Sequence, residues 1–156
     1  MKNVGVYIAA IAGFGIYGAM TGVDRDESGA IVDGGSLDAF DMRVGDCFDD
    51  PSEYDDEVFS LPGVPCSEPH DNEVYAVFDV SMSSYPGEDE IGYVAQERCL
   101  EYFEGFVGLD YDSSTLDIFP FYPTSESWGQ GDREVVCAIF DMNTQKLVGS
   151  VKGSGI

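Results

Sequence analysis

The longest apolar stretch of the chain lies at its amino-terminal end, where residues 4–23 carry no charged side chain. A helix of about twenty residues is roughly 30 Å long, which matches the hydrocarbon core of a bilayer. The run is longer than the apolar core of a secretion signal, and no clear small-x-small cleavage site follows it. The pattern therefore predicts an uncleaved transmembrane helix, with residues 1–23 forming a membrane anchor.

Small residues recur along this predicted helix. Gly5, Ala9 and Gly13 are four residues apart, and such spacing lets membrane helices pack closely. We therefore expect contact with integral membrane protein subunits, the alternative being an anchor without a specific partner. Lys2 precedes the helix and acidic residues follow it. Because cationic flanks stay in the cytoplasm, the amino terminus is expected to be cytoplasmic and the carboxy-terminal domain extracytoplasmic.

Residues 24–42 are polar and rich in glycine and acidic residues, which is typical of a linker. Residues 43–156 follow as the extracytoplasmic domain. It opens with a short predicted strand around Cys47 and an acidic loop. The next segment, NEVYAVFDV at residues 72–80, alternates, and both of its faces carry apolar side chains. This pattern predicts a strand in the centre of a sheet.

Residues 85–108 have the periodicity of an amphipathic helix. Pro86 suits the first turn, acidic side chains follow it, and Gly108 suits the end. The predicted buried stripe recurs every three or four residues and is widened by two neighbours. It comprises Ile91, Ala95, Cys99, Tyr102 and Phe106, with Val94 and Phe103 beside them.

Three further strands are predicted after the helix. Residues 114–124 are apolar and aromatic, although Pro120 favours an edge position or a bulge. Residues 124–132 are predicted to form a loop. Residues 133–141 and 147–153 flank a short turn and are expected to form an antiparallel hairpin. The order of elements indicates an α+β fold in which one helix packs on a small antiparallel sheet.

The charge of the chain indicates the kind of partner that it binds and says little about the fold. The chain has 30 acidic and 7 basic residues, a formal net charge of −23. Such a charge repels nucleic acid and anionic lipid headgroups and favours basic partners or cations. The simpler interpretation is that the negative charge only keeps the protein soluble.

The four cysteines all follow the predicted anchor and are even in number, which indicates two disulfides in an oxidising compartment. No C-x-x-C pair is present, so a zinc site is not expected. Three pairings are possible. Cys99 lies in the apolar helix stripe and Cys137 shares a strand face with Val135 and Ile139. We therefore favour Cys99–Cys137, which leaves Cys47–Cys66.

Several motifs together resemble the septum formation domain of actinobacterial envelope proteins, over about residues 44–155. They are VGDCFDD, VPCSEPHDNEVYAVFD, YPGEDE, ERCLEYFEGFVG, LDIFPFYPTSESWGQGDREVVCAIFD and the terminal VKGSG. The resemblance includes all four cysteines. It implies a membrane-anchored or secreted envelope domain and a link to division septa. It implies no catalytic activity and no cofactor.

His70 is the only histidine, and it lies between Glu68 and Asp71. A catalytic histidine needs a nucleophile and an orienting acid within reach, and a hydrolase would have to use Ser67 from the same short turn. A metal site would need further histidines. We expect instead that Pro69, His70 and Asp71 form a structural turn before the central strand, with contact to a partner or pH sensing as the alternative.

The start of the linker resembles a calcium loop. Asp24, Asp26 and Ser28 occupy its positions 1, 3 and 5, Gly29 occupies position 6, and Ala30 follows as a further candidate ligand. Oxygens at alternate positions can surround one hard cation. Position 12 is Gly35 rather than glutamate, so the alternative is an acidic linker without an ion.

A second acidic segment and one tryptophan are further candidates for binding. The acidic loop can bind calcium or a basic protein, although such runs are usually solvated. Trp128 lies among polar residues and is expected either to anchor a contact or to cap the core. The carboxylates of the loop are Asp46, Asp49, Asp50, Glu53, Asp55, Asp56 and Glu57.

Taken together, these patterns predict a non-enzymatic, single-pass accessory or docking subunit of a larger membrane complex. That complex would belong to cell division or to a respiratory supercomplex, and its extracytoplasmic domains would be basic or of the cytochrome type. No catalytic residue and no cofactor are expected, apart from the calcium candidate. The alternative is a free-standing extracytoplasmic module that binds calcium or another ligand.

Overall fold

The computed structural model describes the backbone of residues 6–8 and the whole of residues 22–52 and 58–156. The elements in these ranges include two helices and one short 3₁₀ turn, Tyr111–Ser113. In chain order the strands and helices are β1 Val6–Ile8, β2 Asp24–Arg25, β3 Ile31–Asp33, β4 Gly35–Asp38, β5 Cys47–Phe48, β6 Ser60–Val64, β7 Asn72–Asp79, α1 Glu88–Val107, β8 Leu116–Pro123, α2 Ser125–Gly129 and β9 Glu134–Asp141.

The strands form a seven-stranded sheet in the order β1-β8-β9-β7-β5-β6-β4, beside a two-stranded sheet of β2 and β3. Neighbouring strands from β8 to β4 in this order are antiparallel to each other, whereas β1 runs parallel to β8. The α+β class is confirmed, but the sheets are larger than expected. β7 lies fourth of the seven strands, so its predicted central position is correct.

Helix α1 forms as its periodicity predicts. It begins after Gly87, carries three acidic residues in its first turn and ends at Gly108, which has φ 84°. A positive φ is costly for other residues, so glycine is suited to this helix end. One correction concerns the buried stripe: Phe103 is fully buried, whereas Tyr102 is 41% exposed.

Both faces of the central strands are covered. Tyr75, Cys137 and Ile118 belong to a cluster that packs against α1. Val74, Val136 and Phe121 belong to a second cluster on the opposite face. The register of β7 against β9 shifts between Val74 and Ala76, a bulge that lets the neighbouring Tyr75 and Ala76 join the same cluster.

The predicted linker at residues 24–42 is part of the fold. It forms β2, β3 and β4, and β4 pairs with β6. Its apolar side chains Ile31, Leu37, Ala39 and Met42 are buried in the second cluster. Burial of this apolar surface stabilises the segment against the sheet. The sequence signal was short: Leu37 and Ala39 are separated by the polar Asp38, within a segment rich in acidic residues.

Three other local predictions were wrong. Residues 147–153 do not pair with β9, and Leu147 forms an isolated bridge with His70 instead. Residues 49–63 were predicted as an acidic loop, but residues 60–63 belong to strand β6. The predicted loop at 124–132 contains helix α2, whose Thr124 and Ser127 form a capping box.

The predicted membrane anchor falls mostly outside the described residues, as do Gly5, Ala9 and Gly13. Val6–Ile8, which the sequence assigns to the anchor helix, form β1 and pair with Phe121–Pro123. Across residues 6–8, 22–52 and 58–156, no helix combines the length and the apolar character needed to cross a membrane.

Candidate functional site

The four cysteines form the two expected disulfides, Cys47–Cys66 and Cys99–Cys137. The first joins β5 to the turn before β7. The second joins the buried side of α1 to β9, at the centre of the larger cluster. Both therefore connect elements that are distant along the chain.

His70 is fully buried, and its contacts are structural. Its Nδ1 lies 2.8 Å from the carbonyl oxygen of Glu68, which fixes the turn. Its backbone N–H donates to the carbonyl of Leu147 at 3.0 Å, and its own carbonyl accepts from Leu147 N–H at 2.8 Å. Its Nε2 is buried and has no hydrogen-bond partner among the described residues. The histidine thus joins the turn before β7 to the end of the chain.

Glu73 is a buried carboxylate that the sequence analysis did not single out. Its Oε1 accepts from Ser150 Oγ at 2.5 Å, and its Oε2 accepts from Val151 N–H at 2.7 Å. The sequence does carry a signal for this role, namely an acidic residue inside an otherwise apolar strand. A charge buried in such a strand requires specific partners. Those partners lie more than 70 residues away in the chain.

Residues 146–156 form a segment that we call the C-terminal strap. Gly149 N–H donates to the carbonyl of Cys66 at 2.7 Å. Gly153 N–H and Gly155 N–H donate to the carbonyls of Phe106 and Val107 at 2.8 and 2.9 Å, and so bind the free carbonyls at the end of α1. The strap therefore connects the turn around His70 to the C-terminal end of α1.

Replacement of Glu73 tests this arrangement. Glu73→Leu leaves the Val151 N–H and the Ser150 hydroxyl without their acceptor, so we expect a loss of about 2–3 kcal/mol in the free energy of unfolding. Glu73→Gln is the matched control, because its amide can accept from Val151 and donate to Ser150, and it should cost about 1 kcal/mol or less. Urea denaturation measures both variants. Amide exchange of the strap should rise only in Glu73→Leu, and equal exchange in both variants would contradict the role of Glu73.

The residues of the calcium candidate form a β-hairpin turn instead of an open loop. Oδ1 of Asp26 accepts from the Ser28 hydroxyl at 2.6 Å and from the backbone N–H groups of Ser28 and Ala30 at 2.8 and 3.1 Å. The Ser28 hydroxyl, followed by these N–H groups, lowers the pKa of Asp26. Asp24 lies opposite Asp33 across the β2–β3 pair. The Asp26 carboxylate, the central candidate ligand, is thus used to close the turn.

Within the described part of the chain, one group of potential metal-ligand atoms is clustered. Ligand atoms of Cys47, Cys66 and Glu73 lie within 4.8 Å of one another. Both cysteines are bound in the disulfide, so neither supplies the thiolate that metal binding requires. This group is therefore a buried carboxylate beside a disulfide.

The acidic loop divides into a buried and an exposed part. Asp46 is 2% exposed, and its carboxylate accepts hydrogen bonds from both terminal nitrogens of Arg25, at 2.5 and 2.8 Å. The hydrogen bond to Asp46, followed by their charge attraction, raises the pKa of Arg25 against the opposing effect of burial. The backbone N–H of Arg43 also donates to Asp46, at 2.9 Å. This residue supports the fold, in contrast to the expected solvated loop.

Asp49 and Asp71 share one cation. Lys146 Nζ lies 2.7 Å from Asp49 and 2.8 Å from Asp71, all partly exposed. Burial raises the pKa of Asp71, but the hydrogen bonds from Lys146 and from the backbone of Asp50 outweigh it, so that the pKa is lowered. This ion pair attaches the start of the strap to the acidic loop. Glu53, Asp55, Asp56 and Glu57 lie outside the described residues.

Trp128 caps the core. It is 6% exposed and packs against the ring of Tyr85. The Arg133 guanidinium lies 3.7 Å from the centre of its ring and donates to its carbonyl at 2.9 Å. Trp128 and Arg133 therefore stabilise α2 and the start of β9 through stacking and hydrogen bonding.

The exposed surface of α1 carries acidic side chains and two exposed aromatic rings on different sides of the helix. Tyr93 is 62% exposed and Tyr102 is 41% exposed. All the acidic side chains of the helix are exposed, and its last turn has no basic residue to balance the helix dipole. They are Glu88, Asp89, Glu90, Glu97, Glu101 and Glu104.

Comparison with known proteins identifies one family. A family model described as septum formation matches residues 34–137. This range is more than half of the chain and begins one residue before β4. No curated protein matches the chain. No solved structure matches it either.

Proposed function

The chain belongs to the septum formation family, and from this we propose that it is a non-catalytic docking subunit of a membrane complex at the cell envelope. Membership in the family points to a role in cell division or the envelope. The finer proposal is that the folded domain lies outside the cytoplasm and presents an acidic surface to a basic partner.

The main support for this proposal is that the side chains of the sequence motifs are engaged in structural contacts. His70 and Glu73 bind the turn and the strap, the cysteines are paired, and Arg133 stacks on Trp128. Side chains that could perform chemistry are thus engaged in holding the fold together. What the described part of the domain presents to a partner is mainly its carboxylates and the tyrosines of α1.

The charge narrows the class of partner. A net charge of −23 disfavours association with nucleic acid, with anionic lipid headgroups and with a second copy of this chain. It favours rapid encounter with a basic protein surface. Extracytoplasmic domains of a division complex or of a respiratory supercomplex are the partners we propose.

We propose that the apolar segment 4–23 spans the bilayer and packs against helices of the complex. Its length suits a bilayer, and its small residues suit close helix packing. Val6–Ile8 pair with β8 in the structure. Insertion of the segment as a helix therefore requires these residues to leave β8, which would become an edge of the sheet.

Purification from native membranes in mild detergent tests the proposal, with an affinity tag at the amino terminus. We expect multi-pass membrane proteins to co-elute in a fixed stoichiometric ratio. The variant Gly5→Leu/Gly13→Leu keeps the segment apolar but removes its small residues, so we expect much weaker co-elution. Recovery of the unaltered chain alone would refute the proposal.

A further inference from the structure

The last two residues of the apolar segment 4–23 are bound to the sheet. Gly22 forms a parallel bridge with Ser36 of β4, the edge strand of the seven-stranded sheet. The Val23 N–H donates to the carbonyl of Ser36 at 3.3 Å. The Val23 side chain is partly buried and packs against the second cluster. The chain therefore enters the domain along β4.

Gly63 of β6 provides the space for the Val23 side chain. A methyl group at position 63 would lie 2.6 Å from Val23 Cγ1 and 3.0 Å from Leu37 Cβ. Both distances are shorter than a normal carbon–carbon contact of about 3.5–4.0 Å. Gly63 does not have a positive φ, so the close approach of Val23, and not a turn, explains the glycine.

Arg25 fixes the chain two residues further on. Its guanidinium binds the buried carboxylate of Asp46 and donates to the carbonyl of Gly29 at 2.8 Å. Residues 24–42, which the sequence predicts as a linker, form β2, β3 and β4. Residues 22–25 are thus held on both sides, and the folded domain begins directly at the end of the apolar segment.

The part of the apolar segment that precedes Gly22 is still long enough for a bilayer. Residues 4–21 carry no charged side chain. A helix of about 18 residues is roughly 27 Å long, which is sufficient to span the hydrocarbon core. A membrane helix formed by this segment would therefore end where the sheet begins.

We propose that residues 22–25 form a rigid junction, through which the membrane segment and the folded domain move as one body. The inference rests on the proposed function, because it assumes that the segment lies in the bilayer. A rigid junction holds the acidic domain at a fixed height and orientation above the membrane. Less orientational freedom is then lost when the domain binds a basic partner, which favours binding.

Tryptic cleavage after Arg25 tests the junction in the full chain, reconstituted into phosphatidylcholine nanodiscs. Arg25 is the first basic residue after the apolar segment, so cleavage there separates the segment from the domain. Proteases cut flexible, exposed segments, and we expect slow cleavage of the unaltered chain. In Gly63→Ala the added methyl group displaces Val23, so cleavage should be about tenfold faster or more.

Gly105→Ala is the matched control, because a methyl group at position 105 of α1 lies in open space. It should leave the rate of cleavage after Arg25 unchanged. Val23→Ala/Gly63→Ala removes the clashing methyl groups and should recover part of the protection. Rapid cleavage of the unaltered chain after Arg25, or equal rates in Gly63→Ala and Gly105→Ala, would overturn the junction.

Trp128 provides a second measurement that does not depend on the folding of Gly63→Ala. It is the only tryptophan of the chain, and Arg133 stacks on its buried ring. Its fluorescence anisotropy in nanodiscs therefore reports motion of the whole domain. A ten-residue Gly/Ser spacer inserted after Thr21 adds a flexible tether and leaves the contacts of residues 22–25 in place. We expect the spacer to lower the anisotropy, and an unchanged value would overturn the junction.

Retention in the nanodiscs separates this inference from the proposed function. If the unaltered chain is lost from the discs, the membrane function and the junction both fail. If the chain is retained but is cut rapidly after Arg25, or the spacer has no effect, the junction is wrong and the membrane function stands. Retention together with slow cleavage and a lower anisotropy in the spacer variant supports both.

Discussion

Replacement of Cys99 and Cys137 by alanine should lower the free energy of unfolding by about 4 kcal/mol. The bond closes a loop of 38 residues, and without it the unfolded chain gains conformational freedom. Both sulfurs lie in the core, where neither residue is exposed to solvent. Urea denaturation under oxidising conditions measures the loss.

Cys47→Ala/Cys66→Ala is the comparison. Its loop spans 19 residues, so the expected loss is smaller, about 3 kcal/mol. Amide exchange should also differ between the two variants. The first should loosen α1 against β9, whereas the second should loosen the turn before β7 and the strap. Unfolding free energies equal to that of the unaltered chain would show that neither bond stabilises the folded state.

Asp46→Ala should destabilise the domain by about 2–3 kcal/mol, because it leaves the partly buried guanidinium of Arg25 without a counter-charge. The side chains of this pair are 13% and 2% exposed. Loss of Asp46 also removes the acceptor of the Arg43 N–H. The same urea measurement reports the change.

The pair of Arg43 and Asp41 provides the control, since its side chains are 52% and 62% exposed. Asp41→Ala should cost at most about 1 kcal/mol. In Arg25→Met/Asp46→Leu both charges are removed, so we expect recovery of much of the stability lost in Asp46→Ala. Equal effects of Asp46→Ala and Asp41→Ala would show that the Arg25–Asp46 pair has no special role.

The elements that were predicted correctly have a repeating local pattern. Helix α1 shows apolar residues at the helical period, β7 alternates, and β8 and β9 are apolar runs of strand length. Recognition of these patterns requires no knowledge of the partner element. The pairing of Cys99 with Cys137 was favoured for the same reason, because each lies on the apolar face of its element. Tyr102 shows the limit: it fits the helix period, but the adjacent Phe103 is the residue buried against the sheet.

The contacts that were missed join residues distant in the chain. Strand β5 around Cys47 was predicted, but the short strands β2, β3, β4 and β6 have too few residues for a clear period. The bond from Glu73 to the strap and the pair of Arg25 with Asp46 cross 78 and 21 positions respectively. No local pattern identifies such partners, because a buried aspartate or glutamate and a solvated one are the same residue type in the sequence.

By itself, the sequence determined the net charge, the even set of cysteines, the main helix, the central strands and the resemblance to the septum formation family. Composition and periodicity are properties of the chain, and they hold before any tertiary contact forms. The tertiary structure alone decided which charges are buried, that the supposed linker belongs to the sheet, and that the His70 motif binds the C-terminal strap. These outcomes depend on which distant groups meet, because desolvation of a charge is tolerated only where the fold supplies its partner.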